Sequence, residues 1–249
     1  MEILRALLSG VLIGSVLGFV GAGGAMLSVP ILLYLFNFTA SGATTAALAI
    51  VIAAATSGLI PKFKSKDVLV KEAIIISAIG SVANVGFSLN IKNFSDDTIK
   101  SGFALVLIIA ATSMLIKPVV GSEKKVPFLW LLAISLIIGT MTGLFGVGGG
   151  FLAIPILVLF FKTSAAKAAG TSLLIIVLNS IIAFLAHYAI WDQVNWKLPI
   201  VMALSAVVIA RLASIKASSV NPLILKRSFA YLLFAISAFT LVQTWIISS

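Results

Sequence analysis

Two glycine clusters, each followed by a proline, are the residues of this chain best suited to chemistry: Gly21, Gly23 and Gly24 before Pro30, and Gly146, Gly148, Gly149 and Gly150 before Pro155. Glycine reaches backbone angles closed to other residues, and proline lacks the N–H that a helix interior needs. Each cluster is therefore expected to interrupt a helix. The helix that resumes presents unpaired N–H groups with a partial positive charge, to which an anion is attracted. Hydroxyl pairs follow at a matching offset, Thr44 with Thr45 and Thr171 with Ser172. They can donate to a bound anion, or bond their own helix four residues back. Asn84 and Asn179 lie deep in apolar runs, where an unpaired amide is costly, so they either tie helices together or touch a solute. His187, the sole histidine, can move protons near neutral pH or simply mark an interface. Arg211 can snorkel to the membrane surface or attract an anion.

The elements that must position these groups are duplicated. Ile-Gly-x-x-x-Gly-x-x-Gly-x-Gly-Gly-x-x-Leu-x-x-Pro-Ile-Leu runs from Ile13 to Leu32 and recurs 125 residues later, from Ile138 to Leu157. With one residue inserted, Thr45-Ala46-x-Leu-x-Ile-Val then matches Thr171-Ser172-x-Leu-x-Ile-Val. Repetition at this spacing divides the chain into halves near 1 to 121 and 122 to 249, read as one membrane domain. At 61% hydrophobic and 10% charged residues, with mean hydropathy +1.23, the chain lies far from soluble composition. Apolar runs fall at about 3 to 20, 41 to 60, 69 to 90, 99 to 116, 128 to 145, 168 to 190, 198 to 217 and 225 to 247. Each approaches the roughly 20 residues that cross a bilayer. Residues 3 to 20 look like a signal peptide only in isolation; their counterpart lies mid-chain, so they are expected to belong to the fold.

Charge distribution decides between two topologies. If each glycine break is the tip of a re-entrant hairpin, Lys62, Lys64, Lys66, Lys71, Lys117, Lys124, Lys125, Lys162, Lys167, Arg211, Lys216, Lys226 and Arg227 share one face. Arg5, Lys92, Lys100 and Lys197 then share the other, thirteen against four. If each broken segment is one ordinary crossing, the split is nine against eight and carries no orientation. Positive loops stay cytoplasmic, so the hairpin arrangement is expected, with both termini outside. A hairpin plus three crossings changes sides, which inverts the second repeat. The expected fold is an all-α membrane protein of two inverted repeats, each a re-entrant glycine-broken hairpin plus three transmembrane helices. Inverted repeats around broken helices are the architecture of alternating-access carriers.

Absences narrow the chemistry. All seven acids, Glu2, Asp67, Glu72, Asp96, Asp97, Glu123 and Asp192, lie in or beside loops, which disfavours a cation substrate or a carboxylate proton relay. The net charge of +10 sits between apolar segments, as membrane orientation requires, so no nucleic-acid partner is expected. There are no cysteines, hence no disulfide or thiolate metal site. No zinc helix or nucleophile elbow is present; no enzyme, metal or cofactor is expected.

The motif pair Gly18-Phe-Val-Gly-Ala-Gly-Gly-Ala-Met-Leu-Ser-Val-Pro30 and Gly143-Leu-Phe-Gly-Val-Gly-Gly-Gly-Phe-Leu-Ala-Ile-Pro155, with Ala169-Gly-Thr-Ser-Leu173 downstream, resembles the sulfite exporter TauE/SafE-like family of membrane permeases. The resemblance covers essentially the whole chain. It implies a plasma-membrane permease for small anions, with sulfur-containing oxyanions and organosulfonates the substrates most often suggested. It maps motif residues onto Gly21, Gly23, Gly24, Gly146, Gly148, Gly149, Thr45, Thr171 and Ser172. The sequence departs from the pattern at Ala203-Leu-Ser-Ala206, where a glycine-rich stretch is expected, and at Pro61. The resulting expectation is an anion held near mid-membrane between the two breaks by backbone N–H groups and the hydroxyls. A passive channel or uniporter and a membrane scaffold remain alternatives. The partners are a small anionic solute and the lipid bilayer, with a homodimer left open.

Overall fold

The computed structural model describes residues 1–115, 127–145, 150, 153–154, 157, 161–217 and 222–247. Gly146, Gly148, Gly149, Pro155 and the inter-repeat connection around Gly121 lie outside them. The described chain is all-helical. In order come α1 (Glu2–Val20), the short α2 (Gly24–Pro30) widening into a π-helical turn (Ile31–Leu35), α3 (Ala40–Lys64), α4 (Val70–Leu89) and α5 (Asp96–Leu115). There follow α6 (Phe128–Phe145), α7 (Ala165–Ala186), α8 (Lys197–Lys216) and α9 (Pro222–Val242). Five of these, α1, α3, α4, α7 and α8, are long and apolar enough to cross a membrane, and Met26–Leu35, Leu129–Phe145 and Leu233–Trp245 are shorter apolar helical segments.

Local chemistry sets the helix ends. Gly21 closes α1 in the left-handed conformation, φ +76°, with its N–H donating to Leu17 O at 2.9 Å, an end that glycine alone reaches cheaply. The N-caps of α3 and α7 correspond: Thr39 Oγ1 accepts from Gly42 N at 3.2 Å, and Ser164 Oγ from Lys167 N at 3.3 Å. Pro30 ends α2 without an N–H to give, and the wider turn follows at once.

Packing follows an exchange pattern between the halves. α1 runs alongside α8 in the same direction, since Gly10, Gly14 and Gly18 meet Met202, Ala206 and Ala210 in turn. α6 runs alongside α4 in the same direction: Gly80 faces Ser135 and Gly139, and Gly143 faces Asn84 and Ser88. These are close crossings without room for side chains. A Cβ on Gly14 would lie 2.5 Å from Ala206 O, and one on Gly143 2.5 Å from Asn84 O, the small-residue packing familiar in membranes. Ala206, one of the departures from the family pattern, is small enough to keep the α1–α8 crossing close.

The pairs that correspond in the two halves run antiparallel. In α3 and α7, Thr45 meets His187 while Lys62 meets Gly170. Between α5 and α9, the Ser237 hydroxyl donates to Ala104 O at 2.9 Å, and in the π-helical turn that follows α9 (Gln243–Ile247) Trp245 Nε1 donates to Ser101 Oγ at 3.1 Å. α1 and α3 point the same way, because Gly18 and Gly58 both lie against Ala210; α2 therefore separates two parallel helices. Polar ties bind α3 to α8: Ser57 Oγ donates to Val207 O at 2.8 Å, and Ser214 Oγ to Gly58 O at 2.7 Å.

The bundle has an inside and a lipid-facing outside. Ile13, Leu17, Met26, Leu48, Ile50, Phe103, Leu107 and Ile138 are buried, whereas Leu8, Val82, Leu105, Leu204 and Phe239 are exposed. Basic residues segregate by end. Lys62, Lys64, Lys66, Lys71, Lys162, Lys167, Arg211, Lys216 and Arg227 collect where α3 ends and α4 begins, and Arg5, Lys92, Lys100 and Lys197 lie at the opposite end. Arg211 is exposed near that first end, which fits the snorkelling reading.

Candidate functional site

The first glycine cluster is a true break. Gly21 and Gly23 have φ of +76° and +86°, and Gly21, Ala22, Gly23 and Gly24 are all buried. α2 resumes at Gly24, and Leu27 N–H makes its first intrahelical bond, to Gly23 O at 3.2 Å. Crowding explains the glycine at position 21 as much as its angle does: a Cβ there would lie 2.6 Å from Ala169 Cβ and 2.7 Å from Ala169 O. The tip of the first half thus presses against the start of α7 in the second.

In the second cluster only Gly150 is described. It is buried, and a Cβ on it would collide with Ile176 and lie 2.7 Å from Ser172 Oγ. Ser172 donates to the Gly150 carbonyl at 2.7 Å, so this hydroxyl anchors the backbone at Gly150.

The other hydroxyls have separate tasks. Thr44 Oγ1 donates to Ala40 O at 2.8 Å, the intrahelical use. Thr45 Oγ1 donates to Ser41 O at 2.8 Å and pairs with His187 Nδ1 at 2.9 Å. Thr171 Oγ1 accepts from Leu69 N at 2.9 Å, fastening the α3–α4 turn to α7. The structure does not bring Thr45 and Thr171 together. Thr45 is bonded at position 187 of the α7 end and Thr171 lies sixteen residues earlier, about 24 Å at 1.5 Å per residue. One small anion therefore cannot touch both hydroxyl pairs at once.

The two asparagines part company as well. Asn84 Nδ2 donates to Asn179 O at 2.8 Å and its Oδ1 accepts from Ser88 Oγ at 3.3 Å, so Asn84 ties α4 to α7. Asn179 is 0% exposed with both side-chain polar atoms unpartnered. His187, 1% exposed, has Nε2 unpartnered, with the Gly143 carbonyl adjoining its ring. Its link to Thr45 escaped the sequence reading, in which the only signal was that His187 stands where the first half has Pro61.

The chain that folds into this bundle, with its buried glycine break, is matched over residues 6–240 by a family model described as Sulfite exporter TauE/SafE. The chain belongs to the sulfite exporter TauE/SafE family. Relatives of the chain include a "Probable membrane transporter protein" of Xylella fastidiosa (strain 9a5c), 26% identical over 247 residues, 95% of this chain and 94% of the relative. "Probable membrane transporter protein YunE" of Bacillus subtilis (strain 168) is 27% identical over 217 residues, 75% of this chain and 78% of its own. No solved structure matches. This TauE/SafE chain is thus a multi-pass membrane transporter, with a lipid bilayer and a solute as partners. Membership of a transporter family implies that it is not an enzyme.

Proposed function

We propose that this protein is a secondary transporter of a small anion, a sulfur-containing oxyanion or organosulfonate, working by alternating access in the plasma membrane. The observation that carries the reading is the buried break at Gly21 and Gly23, both at positive φ, inside a bundle whose corresponding helices α3 and α7 run antiparallel. Broken helices between inverted repeats supply backbone groups to a midplane solute. The repeats are residues 1–121 and 122–249, each with a re-entrant hairpin. The basic end of the bundle faces the cytoplasm, so both termini are extracytoplasmic.

The solute path follows α7. Gly21, Gly23 and Gly24 border it from the first half and Gly150 from the second; Gly146, Gly148 and Gly149, which lie outside the described residues, are assigned to it by the repeated motif alone. The hydroxyl pairs at Thr171 and Ser172 and at Thr44 and Thr45 are met in succession, because they lie near opposite ends of α7. Asn84 and Asn179 belong to the middle of the path. The anionic preference rests on membrane-depth donors without a carboxylate among them, all seven acids lying in or beside loops.

The test is a proteoliposome uptake screen with sulfite, sulfate, sulfoacetate, carboxylates and chloride. Saturable flux with counterflow is the expected result. Single-channel currents would replace the carrier by a passive pore, and the absence of flux for every anion would overturn the reading.

A further inference from the structure

The repeats share a backbone plan but not its chemistry. Ser172, Ile176, Asn179, Ala183 and His187 occupy one side of α7, within an arc of roughly 80° at 100° per residue. Gly150 lies on this side, over Ser172 and Ile176, and Gly143 adjoins His187 further along. Asn179 falls between those two anchor points. It is one turn from Ile176, fully buried, with a free amide donor and a free amide acceptor. Its backbone carbonyl is held by Asn84, so the helix is fixed while the side chain is left uncommitted. His187, further along the same side, is held between Thr45 and the Gly143 carbonyl, which leaves Asn179 as the uncommitted group.

The corresponding side of α3 is Ala46, Ile50, Ala53, Ser57 and Pro61. Ser57 is committed to Val207 O, and the positions matching Asn179 and His187 carry no polar side chain at all. An amide serving general helix adhesion between the halves has a use on both; an uncommitted amide on one half only has the character of a recognition group. A buried amide lacking partners is tolerated where a ligand supplies them.

Given the transport reading, on which this rests, we infer that the solute site is single and one-sided, lying on the second half against α7, with the Asn179 amide as its central recognition group. The amide presents Nδ2–H to a bare oxygen and Oδ1 to a hydrogen-bearing one. The ligand class is therefore a small monoanion that carries both a bare and a protonated oxygen, of the hydrogen sulfite type. A fully deprotonated oxyanion leaves Oδ1 facing oxygen, acceptor against acceptor.

The experiment compares full-length wild type with Asn179→Leu and Asn179→Gln, by hydrogen sulfite uptake into proteoliposomes and by the melting temperature of the purified protein with and without hydrogen sulfite. Asn179→Leu is expected to lower uptake at least tenfold and to abolish the ligand-dependent rise in melting temperature, while the ligand-free melting temperature stays at or above that of wild type. Asn179→Gln is expected to retain part of both. Methanesulfonate, which lacks an O–H, is expected to compete poorly in wild type. Wild-type uptake by Asn179→Leu, or a ligand-dependent rise in melting temperature that survives it, overturns the site. Equal competition by methanesulfonate overturns the ligand class. Failure of the wild type to take up any anion is a different outcome and removes the transport reading itself.

Discussion

Replacing Gly21 by alanine tests the broken helix at its most constrained point. The residue sits at φ +76° and ψ +10°, in the left-handed region that costs an L side chain about 1–2 kcal/mol. The new Cβ would also lie 2.6 Å from Ala169 Cβ and 2.7 Å from both Ala169 Cα and O, well inside the ~3.5–4.0 Å of a relaxed carbon contact. Overpacking of this kind costs about 1–3 kcal/mol, so the total is about 2–5 kcal/mol. The second substitution Ala169→Gly removes only one of the three close atoms. It leaves the backbone overlap and the φ cost, so rescue is expected to be less than half. Gly86 is the control: it is exposed on α4 with nothing within 4 Å of an added Cβ, and Gly86→Ala is expected to be neutral or to stabilise by up to about 1 kcal/mol. Reversible unfolding in mixed micelles measures all four proteins. Gly21→Ala within about 0.5 kcal/mol of wild type, below even the smallest of these costs, would refute both the left-handed turn and its packing against α7.

Two further outcomes follow from the contacts. The Thr45–His187 pair is buried between α3 and α7, and a double-mutant cycle with Thr45→Val and His187→Leu is expected to give a coupling of about 0.6–1.7 kcal/mol; additive single effects would mean that the bond does not hold the helices. Because the chain has no cysteine, Lys66→Cys and Lys197→Cys can each be labelled alone. A membrane-impermeant maleimide on oriented cells is expected to reach position 197 from outside and position 66 only after lysis, and labelling of both from one side would contradict the hairpin topology.

Hydropathy and the duplicated motif, read together, located the apolar helices closely. The run at 41 to 60 became Ala40–Lys64, that at 128 to 145 became Phe128–Phe145, and that at 198 to 217 became Lys197–Lys216. The break at Gly21 and Gly23 was legible for the same reason: glycine clustering and a following proline are local instructions to the backbone, and no partner is needed to carry them out. The placing of basic residues at helix ends and in the connections was legible too, since desolvating a charge is costly wherever the chain folds.

Partnership was not legible. The sequence offers Thr45 and Thr171 as equivalents, and equivalence suggests convergence; antiparallel packing of α3 and α7 puts them near opposite ends instead, one on His187 and the other on Leu69. It likewise offers Asn84 and Asn179 as similar buried amides, yet one is bonded and the other is not. Composition and spacing act along the chain and determined the class, the repeat and the places where helices start, stop and break. Which side chains meet depends on the direction and rotation of helices far apart in sequence, and that was decided only when close glycine crossings such as Gly80 on Gly139 fixed the bundle.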